Sequence, residues 1–243
     1  MKILAVDSSA GVAAVALTEN GKVLADYTLN SGNTHSTTLL PMIESILSVL
    51  SLKVSDIGLF VLSAGPGSFT GLRIGAATIK GLAFANNTPC VGVSSLEAMA
   101  ENFRDTEALV CPVINARRGQ VYCALFRCKN GKSERLLDDD TLQADELADI
   151  LLEYDDERLF FTGDASDIMC SLYTGANKKS SPVPMSLQNA VGAAFLGERK
   201  YLEASPEQRA ELTAELLAPL YLKKPQAERE REEKEKADNS AEQ

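Results

Sequence analysis

The run Ser63-Ala64-Gly65-Pro66-Gly67-Ser68-Phe69-Thr70-Gly71-Leu72-Arg73-Ile74-Gly75 carries the most distinctive pattern in the sequence. It joins an apolar run to a helical one, a geometry that often presents backbone amides to an anion. It is not a Walker P-loop, which needs Gly-Lys-Ser/Thr at the helix start, and its glycine spacing does not fit the dinucleotide fingerprint. Pro66 removes one amide donor from any such cradle. The plain alternative is a tight turn with Thr70 as the helix cap.

Other groups with chemical potential are sparse. His35 is the single histidine, so a Ser-His-Asp triad with a spare, a multi-histidine metal centre and a His-Glu-x-x-His protease site cannot be built. A lone His at a helix start reads as a cap or a surface residue. Arg117-Arg118 sit in a strand-to-strand turn, where a solvated turn is favoured over an anion contact. Asp138-Asp139-Asp140 and Asp155-Asp156 read as surface loops, with nothing apolar nearby to split their pKa values. The cysteines at 90, 111, 123, 128 and 170 form no Cys-x-x-Cys pair, and several lie in apolar runs. They read as buried reduced thiols, not as a zinc or disulfide framework.

The elements that must position these groups follow one pattern given twice. Strands are expected at 2–7, 12–18 and 22–29, with Asn20-Gly21 supplying the hairpin turn. A helix at 36–50 carries Leu39, Leu40, Ile43, Ile46, Leu47 and Leu50 as one stripe, with Pro41 tolerable only near its start. A strand at 57–63, a helix at 71–85 and a strand at 90–93 follow, and Ser94 with Glu97 reads as a capping box opening a short helix to about 103. The second half repeats the order: strands at 109–114, 121–127 and 133–137 with Asn130-Gly131 turning the chain, a helix near 145–153 and a strand at 158–162. Helices near 165–173, 187–203 and 206–217 complete it. This is an internal repeat. Three antiparallel strands followed by crossover strands give an α/β chain with mixed sheets covered by helices. Two such βββαβα units make the layout of the actin-like (ASKHA, ribonuclease-H-like) two-lobed superfamily. The expected lobes are residues 1–103 and 104–225. From 226 to 243 the chain is dominated by charge and reads as a disordered, solvated tail.

In that layout Asp7-Ser8-Ser9 falls at the first phosphate-binding turn, where a carboxylate helps hold a nucleotide's magnesium; a hairpin turn capped by small polar residues is the equal alternative. The matching place in the second half is Asn115, which is neutral and weakens the case for a self-sufficient ATPase. The helix at 71–85 is rich in glycine, and each internal glycine costs about 1 kcal/mol against alanine. Gly71, Gly75 and Thr78 share one face, so something must approach it closely. The candidates are the helix at 36–50, a second chain, or both at once, which we favour. Net charge is −10, so tight binding to a phosphate backbone by this chain alone is not expected. No signal peptide or membrane-length apolar stretch is evident, and a cytoplasmic location is expected.

With these segments in hand, the sequence resembles the TsaB (YeaZ) family of bacterial tRNA threonylcarbamoyladenosine biosynthesis subunits. The resemblance rests on Leu4 to Ser9, His35-Ser36 before Leu39-Leu40-Pro41, the Gly65–Gly75 loop, Val91 to Glu97, Asn115 to Tyr122 and Pro219-Leu220-Tyr221-Leu222-Lys223. It covers residues 1–225. Asn115 departs from the family's usual acidic residue. The catalytic paralogue, TsaD, carries His-Met-Glu-Gly-His after its fifth strand and binds a metal through both histidines; here the matching positions are Ser95-Leu96-Glu97-Ala98-Met99, so no metal site of its own is expected. The resemblance implies a non-catalytic subunit that pairs with a TsaD-like paralogue and a TsaE-like ATPase, forms a homodimer when alone, touches tRNA only indirectly and has no membrane role. It implies pairing through the helices at 36–50 and 71–85, near Leu39, Leu40, Ile43, Leu47, Gly71, Ile74, Gly75 and Thr78. Gly75→Leu is then expected to abolish pairing in a folded monomer. Asp7, Ser68, Thr70 and Arg73 are the positions for a nucleotide or anion contact shared at the complex interface, with ATP or ADP as the ligand and no cofactor belonging to this chain. The rival readings are a stand-alone small-molecule kinase of the same superfamily, a metallopeptidase, and a homodimeric binding module without a tRNA connection.

Overall fold

The computed structural model describes residues 1–182 and 185–223; the tail at 226–243 lies outside them. Strands β1 (Lys2–Asp7), β2 (Ala13–Glu19), β3 (Lys22–Leu29), β4 (Leu59–Gly65) and β5 (Cys90–Ser94) form one mixed sheet in the order β3-β2-β1-β4-β5. Strands β6 (Ala108–Asn115), β7 (Gln120–Lys129), β8 (Lys132–Gln143), β9 (Leu159–Thr162) and β10 (Lys178–Ser180) form the second, in the order β10-β9-β6-β7-β8. In both, the hairpin strands pair antiparallel and the crossover strands parallel.

The described residues include seven α-helices, α1 (His35–Val49), α2 (Phe69–Phe84), α3 (Ser95–Glu101), α4 (Ala144–Leu151), α5 (Ser166–Leu172), α6 (Ala190–Glu203) and α7 (Pro206–Ala210), of which all but the exposed α7 cover the sheets. The alternation of side chains along β1 explains the layering. Leu4 and Val6 face α1 and α2, whereas Ile3 and Ala5 face Ala190, Ala193 and Ala194 of α6. In the second sheet Leu109, Cys111 and Val113 face α4 and α5, whereas Val110 and Ile114 face Leu96 and Met99 of α3. The order through the molecule is therefore helix, sheet, helix, sheet, helix. Strands buried on both faces read as unbroken apolar runs, as β1 and β6 do.

The two middle helices depart from the lobe boundary expected at 103/104. α3, from the first half of the chain, covers the second sheet, and α6, from the second half, covers the first sheet. Each inner sheet face needs an apolar cover, and the helix that follows each unit supplies it to the other unit. Glu101 clamps the pair: its carboxylate accepts from Arg199 Nη1 and Nη2 at 2.9 and 3.2 Å, from Arg104 at 3.2 Å and from Ser133 at 2.9 Å.

Several local expectations change. β8 continues through Asp138-Asp139-Asp140; Asp139 is nearly buried and pairs with Arg135, whose guanidinium also binds Glu97 at 3.1 Å. The acidic run is thus strand, with Asp139 paired within β8 and Asp138 and Asp140 exposed on either side of it. Asp155 is not plain surface either, because it accepts from Ala176 N at 2.7 Å and Tyr173 Oη at 3.2 Å. Only half of the capping box at α3 forms: Ser94 Oγ accepts from Glu97 N, while the Glu97 carboxylate goes to Arg135. α7 ends at Ala210, earlier than the expected 217, and β10 is an edge strand that periodicity did not reveal. No described helix is long and apolar enough to cross a membrane.

Candidate functional site

The Gly65–Gly75 run forms the end of β4, a turn, and the first half of α2. Ser68, not Thr70, caps the helix: Ser68 Oγ accepts from Gly71 N at 3.3 Å, and Thr70 lies inside the first turn. The glycines admit this chain's own Ser8-Ser9 turn, through its backbone at Gly67 and Gly71 and through side chains at Gly75. A Cβ on Gly67 would lie 2.1 Å from Ser9 O, one on Gly71 2.1 Å from Ser8 O, and one on Gly75 2.4 Å from Ser8 Oγ. Ser68 N donates to Ser9 O at 2.6 Å, and Ser8 Oγ donates to Gly71 O at 2.9 Å. The small-residue face of α2 is therefore pressed onto the turn after β1, with His35 Cδ2 at the start of α1 also 3.2 Å from the place of a Gly71 Cβ. Close backbone approach is what offsets the helix cost of these glycines.

That turn is itself sealed. Asp7, Ser8 and Ser9 are fully buried. Asp7 Oδ1 accepts from Ser9 N at 2.8 Å and from Ser9 Oγ at 2.7 Å, while Asp7 Oδ2 has no hydrogen-bond partner among the described residues. Burial pushes the Asp7 carboxyl above its ordinary value, against the lowering effect of Ser9, Ser63 and His35. His35 begins α1, and its Nε2 lies 2.8 Å from Ala10 O; the single histidine ties α1 to this turn and is not a free surface group. Ala10 packs in the same cluster as Ile114 of the second sheet.

The four residues expected to share a nucleotide contact differ in exposure. Asp7 is inside, whereas Ser68, Thr70 and Arg73 are exposed. The Arg73 guanidinium stacks 3.8 Å from the Phe69 ring centre. At the matching turn of the second sheet, Asn115 N donates to Asp164 Oδ1 at 2.8 Å. A carboxylate is thus present beside the neutral Asn115, supplied by the turn that follows β9. Sequence reading missed this role, since only the parallel pairing of β6 with β9 brings 115 and 164 together. Ser95 and Met99, which the resemblance matches to the paralogue's two histidines, are both buried, and Met99 packs with Phe103 and Val110.

The expected pairing residues divide into two groups. Leu39, Ile43, Leu47, Gly71 and Gly75 are buried in the first lobe's own core, so they are not available to a partner. The amphipathic stripe identified the helix face that meets the sheet, which is the opposite face from one a partner would touch. Gly75→Leu would disrupt Ser8 and Leu62 inside the fold before it reached any partner. Leu40 is 45% exposed, and Ile74 and Thr78 are half-buried. Beside them on the outer face of α1 and α2 lie Val49, 73% exposed, and Phe84, 70% exposed, with the small exposed Ala77 and Gly81 between.

Two sheets with this shared order and three helix layers define a two-lobed actin-like protein. A model of the TsaD family, tRNA N6-adenosine threonylcarbamoyltransferase, matches residues 22–231. The tRNA threonylcarbamoyladenosine biosynthesis protein TsaB of Bacillus subtilis is 34% identical over 208 residues, covering 82% of this chain and 88% of its own length. The TsaB protein of Escherichia coli is 38% identical over 134 residues, covering 54% of this chain and 58% of its own. The solved structure of YeaZ from Pseudomonas aeruginosa superposes with a TM-score of 0.76 at 26% identity, covering 91% of this chain and 99% of that one. The chain belongs to the TsaB (YeaZ) family.

Proposed function

We propose that this protein is a non-catalytic subunit of tRNA threonylcarbamoyladenosine synthesis that docks a TsaD-like transferase on the outer face of α1 and α2. The observation that carries the reading is the set of exposed apolar side chains on these two helices, Leu40 and Val49 of α1 and Phe84 of α2, with the exposed Ala77 and Gly81 of α2 allowing close approach of another helix. Burial of such exposed apolar surface is the usual driving force for association. The same face accounts for self-association when the transferase is absent. Two features support a non-catalytic role: the sealed Asp7 turn, and the buried Ser95 and Met99 where the paralogue has imidazoles. The net charge of −10 leaves tRNA contact to the partner. A TsaE-like ATPase completes the assembly, and ATP or ADP binds at the complex interface, where Ser68, Thr70 and Arg73 are exposed.

The test is a double variant, Leu40→Glu with Phe84→Glu, mixed with the transferase paralogue on a sizing column and assayed in reconstituted tRNA modification. Both positions are exposed, so circular dichroism should match the parent chain. Association and modification should both fall by at least about tenfold, the effect of losing roughly 1.4 kcal/mol at a central contact. Undiminished association refutes the assigned face; full modification by the transferase without this chain refutes the assigned role.

A further inference from the structure

The motif Pro219-Leu220-Tyr221-Leu222-Lys223 plays no part in the proposed docking, yet the structure anchors it at both ends. The chain reaches it along the β5 edge, where Leu212 O accepts from Cys90 N at 2.8 Å and Leu217 is buried. It then crosses the end of β4: Leu220 N donates to Ala64 O at 2.7 Å, and Leu220 O occupies the place of a Gly65 Cβ, 2.3 Å away. Tyr221 stacks on Phe69 with ring centres 4.7 Å apart, and its hydroxyl accepts from Arg73 Nε at 3.2 Å. Two residues later the chain is on the other lobe. Lys223 Nζ donates to Gln120 Oε1 at 2.6 Å and to Ala116 O at 3.2 Å, and it lies 5.5 Å from the Tyr122 ring centre.

The receiving turn is unusual. Arg117, Arg118 and Gly119 all have positive φ, at 63°, 55° and 77°, a conformation uncommon for residues with a side chain. Inside the turn Asn115 Oδ1 accepts from Arg117 N at 2.8 Å, and Ala116 N donates to Gln120 O at 2.9 Å. Lys223 adds a cation on the carbonyl side of the same residues. The Gly65 turn and the Ala116 turn follow β4 and β6, so they stand at the ends of the two sheets that face each other across the molecule.

We propose that residues 219–223 form a latch that joins the two lobes at the open side of the middle helix layer and holds them as one body. The proposal does not depend on what the protein docks. Its distinguishing consequence is cross-lobe: cutting the latch on one lobe loosens the turn on the other.

Amide hydrogen exchange on the purified full-length chain tests it. Lys223→Met removes the ammonium and keeps an unbranched apolar stem; Tyr221→Ala removes the ring contact with Phe69. Lys223→Met should speed exchange at Ser68 and Leu72, and Tyr221→Ala should speed it at Ala116 and Gln120, each about tenfold, while β1 and β6 keep the parent rate. Gln120→Ala removes the acceptor from the far end and should reproduce Lys223→Met. The latch is refuted if each variant loosens only its own lobe. It is equally refuted if rates are unchanged, or if β1 and β6 rise by the same factor as the turns.

Discussion

Alanine placed at three glycines of one helix should give three different results, because only the surroundings differ. Each substitution in α2 gains about 1 kcal/mol of helix propensity. At Gly81 a Cβ meets nothing within 4 Å, so that gain should appear nearly whole, as about 0.5–1 kcal/mol of added stability. At Gly75 the Cβ would stand 2.4 Å from Ser8 Oγ and 2.9 Å from Leu62 Cδ1. Both are side-chain atoms and can move, but turning Ser8 Oγ away forfeits its 2.9 Å bond to Gly71 O. A net loss of about 1 kcal/mol is expected there. At Gly71 the opposing atom is Ser8 O, a backbone atom 2.1 Å away, so reaching ordinary contact at 3.4 Å needs a 1.3 Å displacement (3.4 − 2.1). The sealed Asp7 turn resists that shift, and overpacking should outweigh propensity by about 2 kcal/mol. Urea denaturation of the three variants at a common m value reads these differences directly. Gly71→Ala as stable as the parent, or Gly81→Ala the least stable of the three, would refute the account of why this helix contains glycine.

Three further outcomes follow from buried charge and burial. Glu101→Ala should cost about 2 kcal/mol by removing the charge-assisted hydrogen bonds that Arg199, Arg104 and Ser133 make to it, the two guanidiniums being partly exposed, and adding Arg199→Ala should cost less than the sum of the two single changes; additive losses in urea would show the clamp to be no clamp. Burial raises the folded-state pKa of Asp7 above its ordinary value of 3.8, so the protonated carboxyl favours the fold: its contribution is full below pH 3.8 and is lost as pH rises through the folded value. Asp7→Asn should flatten stability against pH across that window, and a slope identical to the parent's would contradict the assignment. Cys90, Cys111, Cys123 and Cys128 are buried, with burial pushing Cys90 to about 11, Cys123 and Cys128 to about 12, and Cys111 well above its ordinary value. A thiol reagent at pH 8 should therefore titrate only the half-buried Cys170 in the native protein and all five in denaturant; rapid reaction of a second thiol in the native state would contradict that burial.

The sequence determined the repeat, the hairpin turns and nearly every strand, because apolar runs, alternation and Asn-Gly pairs are local signals that tertiary context here agrees with. It also determined the family, through the unusual run from Ser63 to Gly75. What each residue of that run touches was decided by tertiary structure. Glycine spacing announces a close approach without naming its partner, and only the crossing of β1 under α2 makes that partner Ser8. The stripe of Leu39, Ile43 and Leu47 had the same ambiguity: periodicity reports that one helix face is apolar, while the sheet decides that this face points inward and leaves Leu40, Val49 and Phe84 outside. Contacts between residues far apart in the chain, such as Asn115 with Asp164, Glu101 with Arg199 and Lys223 with Gln120, left no local trace at all. Side-chain charge and size fix what a residue can pair with, and only the packing of two lobes fixes which candidate comes within reach.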